Sequence, residues 1–589
     1  AAAAAASPSS AGNRRGWVPF RRKKTASTSS AAASAAPATT PTTPVDAQTR
    51  LLENLSNDNQ PIDVRLDALR SLESHVQEAR ALENLSNEAT AAAVMQIVDV
   101  LGSTGDEALQ AAICRTIWSL ADTDALRAAI ADGGGILYVG ALLASQSADV
   151  QQEAALLLVA ITNTPESAQQ LVAANGVSEL LAMLSRDQSQ LRTTALQLLS
   201  AMCTHGSAEA LVSAGGANPL AAELVRSAAV AKGWGGNTAD GCRDARLSLT
   251  CLSSMASCGH TQMEKVRHAV RHASALPSLV ALLGTDTGGT DAAAMALLAQ
   301  LELSEKGAEE LTNTGGIALL CESLGAATAA DTRLQAAQTL ANLSASAVSA
   351  VAIAQTPNAV ENLLSLASYR SASDRRESQD THQTSALTTL ANLCALGALP
   401  ADALRSANAI KALAEFCGIS PDPTQRAASV ALVAHAAQDS GARLQLAELG
   451  VPALLATAIS EPAGGDGRAS PAGGAAMGTA WSGPSAIGRN ATMALAHFAA
   501  DDNLRTQIGT WGALAPLASQ LTPAAQPDAR TRAMALSALA NFSYIDAASL
   551  VDAGLPSRLG PLLFETDIAT LGMALTALIN LASTPAANE

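Results

Sequence analysis

Apolar residues recur along most of this chain at the spacing i, i+3, i+4 and i+7, in short segments that come in pairs. Residues Ile317–Leu324, followed by Asp331–Leu343, are one such pair. No run alternates apolar and polar residues between hairpin turns, so the pattern predicts helices and no strands. A turn signal precedes one helix of each set. It reads Gly134-Gly135-Ile136, Asn175-Gly176-Val177 and Gly215-Gly216-Ala217, then Ser274-Ala275-Leu276, Gly315-Gly316-Ile317, Asn358-Ala359-Val360 and Asn408-Ala409-Ile410. It returns as Leu449-Gly450-Val451, Trp511-Gly512-Ala513 and Ala553-Gly554-Leu555. The Gly-Gly and Asn-Gly pairs permit the sharp turn that a cassette of two or three helices requires. Most steps between triplets are close to 41 residues, and three are longer, at 59, 50 and 62. A fixed period with a few long steps predicts a solenoid with insertions, a class that binds other macromolecules along an extended surface.

The periodic pattern begins near Asp46. Residues 1–45 are Ala-, Ser-, Thr- and Pro-rich and hold Arg14, Arg15, Arg21, Arg22, Lys23 and Lys24 without any acid, a composition that predicts a disordered basic tail. Such a tail fits an organelle transit peptide, a nuclear-localisation patch at residues 21–24, or plain solvation. Leu51–Asn57 is echoed by Ala81–Asn87, so residues 46–90 read as an N-terminal helical cap and residues 91–589 as the solenoid. The long steps map to residues 226–246, 368–384 and 461–488, expected to be surface loops. The last helix carries Leu571, Met573, Leu575, Leu578 and Leu581, apolar on more than one face, so a covering partner or a continuing chain is expected there.

At 589 residues the chain exceeds one compact core, a limit that repeats escape because each unit packs only on its neighbours. Aromatics make up 2% against 48% apolar residues, so Leu and Ala do the packing. The formal net charge is −16, and without the six bases of the tail it is −22; an acidic body argues against nucleic acid as the partner. Eight scattered cysteines form no Cys-x-x-Cys pair and read as reduced thiols of an intracellular, most simply cytoplasmic, protein. Cys242, Cys251, Cys258, His260, His268 and His272 lack the short paired spacing of a zinc site, and buried thiols are the plainer reading. No apolar run is long enough for a transmembrane helix. No phosphate-binding loop, His-Glu-x-x-His or Gly-x-Ser-x-Gly occurs, so neither cofactor, metal nor catalytic residue is expected.

The last helix of each cassette carries a signature: Leu340-Ala341-Asn342-Leu343, Leu390-Ala391-Asn392-Leu393, Leu539-Ala540-Asn541-Phe542 and Leu578-Ile579-Asn580-Leu581. With the Gly-Gly-Ile turn and the period, residues 90–589 resemble the armadillo repeat family. The resemblance implies an all-α fold, a right-handed superhelix of about eleven three-helix units, with the third helices lining a concave groove. It further implies that the Asn position faces the groove and holds a bound peptide's backbone. That position runs Ser119, Ala160, Ala201, Ser254, Gln300, Asn342, Asn392, His435, His497, Asn541 and Asn580 here. The family's nuclear-import adaptors place Trp four residues earlier, where this chain has Gln338, Thr388, Ser537 and Thr576, so import-adaptor function is not carried over.

Arginines form a second series, with Arg192, Arg333, Arg426 and Arg532 nine residues before the Asn position and Arg246 and Arg489 eight before it. A stripe of guanidinium groups suits acidic or phosphorylated segments, which it binds bidentately. The plainer alternative for both series is local: the amides bond neighbouring backbone, and the arginines are neutralised by acids such as Asp331 and Asp528. The leading expectation is a non-enzymatic scaffold for extended or acidic protein segments. The alternatives are a structural subunit of a large organellar or cytoskeletal assembly, such as a ciliary one, and a transport adaptor.

Overall fold

The computed structural model describes residues 44–81, 87–233, 237–283, 289–301, 303–325, 329–368, 376–419, 422–460, 486–522, 528–564 and 567–583. Among them every regular element is a helix, and the helices recur in threes: a short first, a second set off by a sharp turn, and usually a longer third. The third helices are α1 (Glu107–Leu120), α2 (Ala148–Ile161), α3 (Ser189–Thr204), α4 (Thr238–Ser257), α5 (Thr290–Gln300) and α6 (Ala330–Leu343). The series continues with α7 (Arg376–Ala395), α8 (Pro423–Ala436), α9 (Ala486–Ala500), α10 (Ala529–Ser543) and α11 (Ile568–Ala582). Each packs directly on the one before and the one after, so they stack as the rungs of a single ladder.

The turn between first and second helices shows why the triplets look as they do. Asp124–Asp132 and Gly135–Leu142 cross at 81°, and Ser440–Glu448 and Val451–Ser460 at 82°. Gly134 stands in the left-handed region at φ 85°, and Asn175, Ser274 and Asn358 do so at 61°, 52° and 60°. The next residue has a different task. A Cβ on Gly135 would lie 2.7 Å from the Ile130 side chain, and one on Gly176 would lie 2.4 Å from Leu171, so the second glycine lets the chain run against the first helix. In the last three units the left-handed residue is the middle one, Gly450, Gly512 or Gly554, which puts that bend one residue later than the triplet alignment. At Asn408 no left-handed residue occurs, and a 3-10 turn, Ala401–Leu404, replaces the first helix.

One contiguous core runs along the ladder, built mainly from Leu, Ala, Ile and Val. On α6, Ala336, Ala337, Thr339, Leu340 and Leu343 are buried, the spacing that the sequence pattern supplied. Each fully buried Leu contributes on the order of 2 kcal/mol, and the alanines let the rungs approach closely.

Two of the expected loops are largely helix. Residues 226–246 divide between the helix Ala217–Ala231 and α4, and residues 376–384 belong to α7, which has 20 residues. Added residues at the end of a rung lengthen it without disturbing its neighbours. The third insertion lies outside the described residues up to 485, as do residues 1–43 of the tail and most of the echo at 81–87. The Ile62–Ala81 helix of the cap packs on α1 as α1 packs on α2, so the ladder is continuous with the region read as a cap. At the other end α11 exposes Ile568, Leu575 and Ile579, beside the exposed Phe564.

The two glycine roles separate experimentally. Gly176→Ala should lower stability by about 1–3 kcal/mol through the clash with Leu171. Asn175→Gly should leave it unchanged or raise it by up to about 1 kcal/mol, because the left-handed conformation strains only the side chain. Urea midpoints of the two variants against wild type check both.

Candidate functional site

The face of the ladder is set by register. Ser119, Ala160, Ala201, Ser254, Gln300, Asn342, His435, His497, Asn541 and Asn580 all keep part of their surface open, each on its own rung; Asn392 alone is buried. The amides do not simply hang free. Asn342 Nδ2 donates to the Ala299 carbonyl at 2.7 Å, Asn392 Nδ2 to Ser344 Oγ at 2.9 Å, and Asn580 Nδ2 to Ser543 Oγ at 2.8 Å. In each case the acceptor belongs to the preceding rung or its end. The Ser119 hydroxyl reaches Glu73 at 2.5 Å in the same sense. The Asn541 side chain makes no hydrogen bond among the described residues and stays half-exposed. At Ser119, Asn342 and Asn580 the shared position thus fastens rung to rung with one donor and turns its remaining surface outward.

The histidines hold the same register on α8 and α9. His435 Nε2 lies 2.8 Å from the Leu399 carbonyl, which only accepts, so that nitrogen carries the proton. Burial lowers the pKa of His435 below the usual imidazole value. His497 is lowered too, first by burial and then by the positive charges of Arg443, Arg530 and His435.

The arginine series is engaged locally. Arg192 donates to the carbonyls of Arg186 and Asp187, both at 2.8 Å, just past the end of the helix Gly176–Met183. Its Nε stands 3.5 Å from Glu223 Oε1. Arg489 reaches Asp528 on the next rung at 3.4 Å. Arg333, Arg426 and Arg532 are half-buried, Arg246 is exposed, and all four have partners.

Sequence reasoning missed a second arginine set. Arg127 Nε donates to Ala121 O at 2.9 Å, Arg443 to Ala437 O at 2.9 Å, and Arg505 to Ala499 O at 3.0 Å. Each guanidinium closes the C-terminal end of the rung before it, where free carbonyls and the helix dipole favour a cation. The signal was legible as an acid followed by Arg just past each rung: Asp124 and Arg127, Asp439 and Arg443, Asp502 and Arg505. Trp118 was missed as well. It is 53% exposed beside Ser119, the one exposed aromatic on a third helix among the described residues.

A buried charge cluster joins α3 and α4. Glu223 is 2% exposed and meets both Arg226 and Arg192. Thr193 donates to Asp244 at 2.7 Å. Burial raises the pKa of both carboxyls, more than the arginines lower it, and Asp244 adds to the effect on Glu223. By contrast, Arg405 and the Ala442 N–H hold Asp439 down to about 2. Six of the eight free cysteines are buried, and burial pushes Cys114, Cys321, Cys394 and Cys417 up to about 12, which makes them poor nucleophiles. Among the described residues no group of His, Cys, Asp or Glu is arranged to hold a metal, and no single helix is long and apolar enough to cross a membrane. A cavity of about 440 Å³ lies off the ladder face, between Ala359–Ser368 and Ala407–Ile419, lined by Glu361, Leu364, Lys411, Glu415 and Phe416.

The raised carboxyls fix a pH dependence. A group whose pKa rises on folding adds stability below its unfolded value and loses it as pH climbs through the folded one. The lowered carboxyls Asp439, Asp528, Asp546 and Asp567 remain ionised above pH ~5 in both states and do not oppose this. Amide exchange protection in α3 and α4, corrected for intrinsic rates, should therefore rise between pH 7 and 5. Asp244→Asn should flatten that rise.

No protein-family model matches the chain, and no curated protein sequence matches it either. Solved structures do. One, described as concerning a phosphorylation switch that controls the interaction between cadherin and beta-catenin, is 16% identical at a TM-score of 0.69, over 91% of this chain and 98% of that one. A designed armadillo repeat protein is 19% identical, with a TM-score of 0.35, over 42% of this chain and 99% of its own. An engineered protein is 22% identical, with a TM-score of 0.45, over 83% and 99%. With its ladder of equivalent third helices and its likeness to the first of these structures, the chain has the all-α solenoid fold of the armadillo type.

Proposed function

We propose that the protein is a non-enzymatic scaffold that holds an extended segment of a partner protein along the groove formed by its third helices. The observation that carries this reading is the shared register: on ten of the eleven rungs the equivalent side chain stays partly open, and Asn342 and Asn580 among them also fasten their rung to the one before. An extended segment repeats its backbone groups along its length, and the polar side chains from Ser254 to Asn580 in this row match it. Trp118 supplies an apolar anchor at one end of the row. A solved structure that it resembles over 91% of its length comes from work on a protein–protein interaction, between cadherin and beta-catenin, which supports the same class of partner. The eight free thiols fit residence inside the cell.

A second reading, a fixed subunit of a larger assembly, draws on the apolar face of α11, where Ile568 is 84% exposed, and on Phe564 just before it, 89% exposed. The two readings differ in what one experiment returns. The full-length chain is captured from its native source and co-eluting proteins are identified by mass spectrometry. Gln338→Arg and Ser537→Arg alter the groove, and Glu309→Arg alters the outer layer as a control. Partners lost at least about tenfold with the groove variants and kept with the control support the scaffold. A set retained in constant stoichiometry by all three sinks it and favours the subunit.

A further inference from the structure

The rungs do not share one charge. Among α1 to α7, every third helix except α3 contains Asp or Glu, whereas α8, α9, α10 and α11 contain none. Over the same stretch Arg530 of α10 stands with His435 and His497, while Arg426, Arg489 and Arg532 on these helices have local partners. The acids nearby are spent on helix ends. Asp422 accepts from the Thr424 N–H at 2.8 Å, and Asp528 accepts from the Thr531 N–H at 2.7 Å and pairs with Arg489 at 3.4 Å. Asp501 pairs with Arg443 at 3.3 Å, and Asp439 with Arg405 at 2.5 Å. On a chain of net charge −16, this is a local run of opposite sign.

We propose that the stretch of groove over α8, α9 and α10 binds an acidic segment of a partner protein and takes up protons as it does so, with His435 and His497 the groups that charge. The proposal rests on the scaffold reading and names the chemistry of the partner at this place. The two rings sit at one register on adjacent packed rungs, and both keep part of their surface open. His435 already uses its Nε2–H on Leu399, so its second proton enters at Nδ1.

The surroundings explain the coupling. Toward His497 come the positive charges of Arg443, from the helix Ser440–Glu448, and Arg530, from α10. Arg532 is also on α10, and Arg505, from the turn after α9, is paired with Asp502. The helix Val451–Ser460, packed on α9, has no titratable group. Toward α8, α7 offers the uncharged Asn392 at the shared register and Asp380 and His382 near its other end. The segment Ala401–Leu404 brings Asp402, and Ala407–Ile419 brings Lys411 and Glu415. Burial holds both rings neutral in the free protein, and at His497 the cations Arg443 and Arg530 add to it. A carboxylate-rich segment laid over them offsets those cations and favours the charged imidazole. By reciprocity, charging the imidazoles strengthens the hold on the segment.

The test uses the full chain and a fluorescein-labelled oligo-aspartate of about twelve residues, whose carboxyls stay ionised at pH ~5.5. Fluorescence anisotropy at pH 7.5 and pH 5.5 should show wild type binding about tenfold tighter in the acid buffer. The double variant His435→Gln with His497→Gln should change by less than about twofold, since Gln keeps a donor but gains no charge. Arg530→Glu should weaken binding at both pH values. Calorimetry of wild type in two buffers of different ionisation enthalpy should show net proton uptake, a readout independent of whether the double variant folds. Equal affinity at both pH values, tightening retained in a folded double variant, or zero proton uptake overturns the coupling. Absence of binding at both pH values overturns the acidic segment at this place. If the partners lost with Gln338→Arg are still captured by wild type, the scaffold reading survives that failure; if they are not, it falls with it.

Discussion

Everything in this molecule depends on one packing relation, a third helix laid against the next third helix. No unit of about 41 residues buries its own apolar surface, because both sides of each rung are apolar and only its neighbours cover them. The relation dictates composition. Rungs approach closely where alanine faces alanine or leucine, as at Ala336, Ala337 and Leu340 of α6, and bulky rings would hold them apart. Hence aromatics are scarce at 2% of the chain, and Phe498 and Phe542 are buried.

Close rungs also bring polar groups within reach of one another. Thr339 bonds the Met295 carbonyl one rung back at 3.3 Å, and Asn342 the Ala299 carbonyl at 2.7 Å. Such bonds satisfy groups that the packing has dried, and in doing so they hold the register along which a partner would be read. Helix ends raise the same demand many times over. Asp106, Asp439, Asp528, Asp546 and Asp567 cap N-termini, while Arg127, Arg443 and Arg505 close C-termini. Much of the charge on this chain thus serves helix termini. What is left for recognition is the small part not so engaged: Arg530, the two histidines, the outward sides of the amides, and Trp118.

The sequence alone carried the fold far. Helical periodicity, the turn triplets and the Leu-x-Asn signature lead to eleven third helices, because a repeat writes the same local physics many times and its period survives any one irregular unit. The acid-then-Arg pattern at rung ends was equally present in the letters. The insertions were not legible as they stand, since the same residues make a loop or a longer helix depending on whether a neighbouring rung supports them. The left-handed residue likewise moves from the first place of the triplet, Gly134, to the second, Gly450, a shift that local sequence does not mark.

Side-chain roles were decided by tertiary structure. From spacing, Asn342 and Asn580 stand equally well for peptide clamps or for internal fastenings, and only the positions of Ala299 and Ser543 on the preceding rungs show that one donor of each is already taken. Arg192 reads as part of a binding stripe until the carbonyls of Arg186 and Asp187 and the buried Glu223 come within reach. The concentration of cations over α8 to α10 is written in the chain, but its effect on His497 arises because three separate segments converge on that ring. Periodicity reports which residues share a face. Which partner each meets across the gap depends on how neighbouring rungs are set against each other, and that is a property of the assembled ladder.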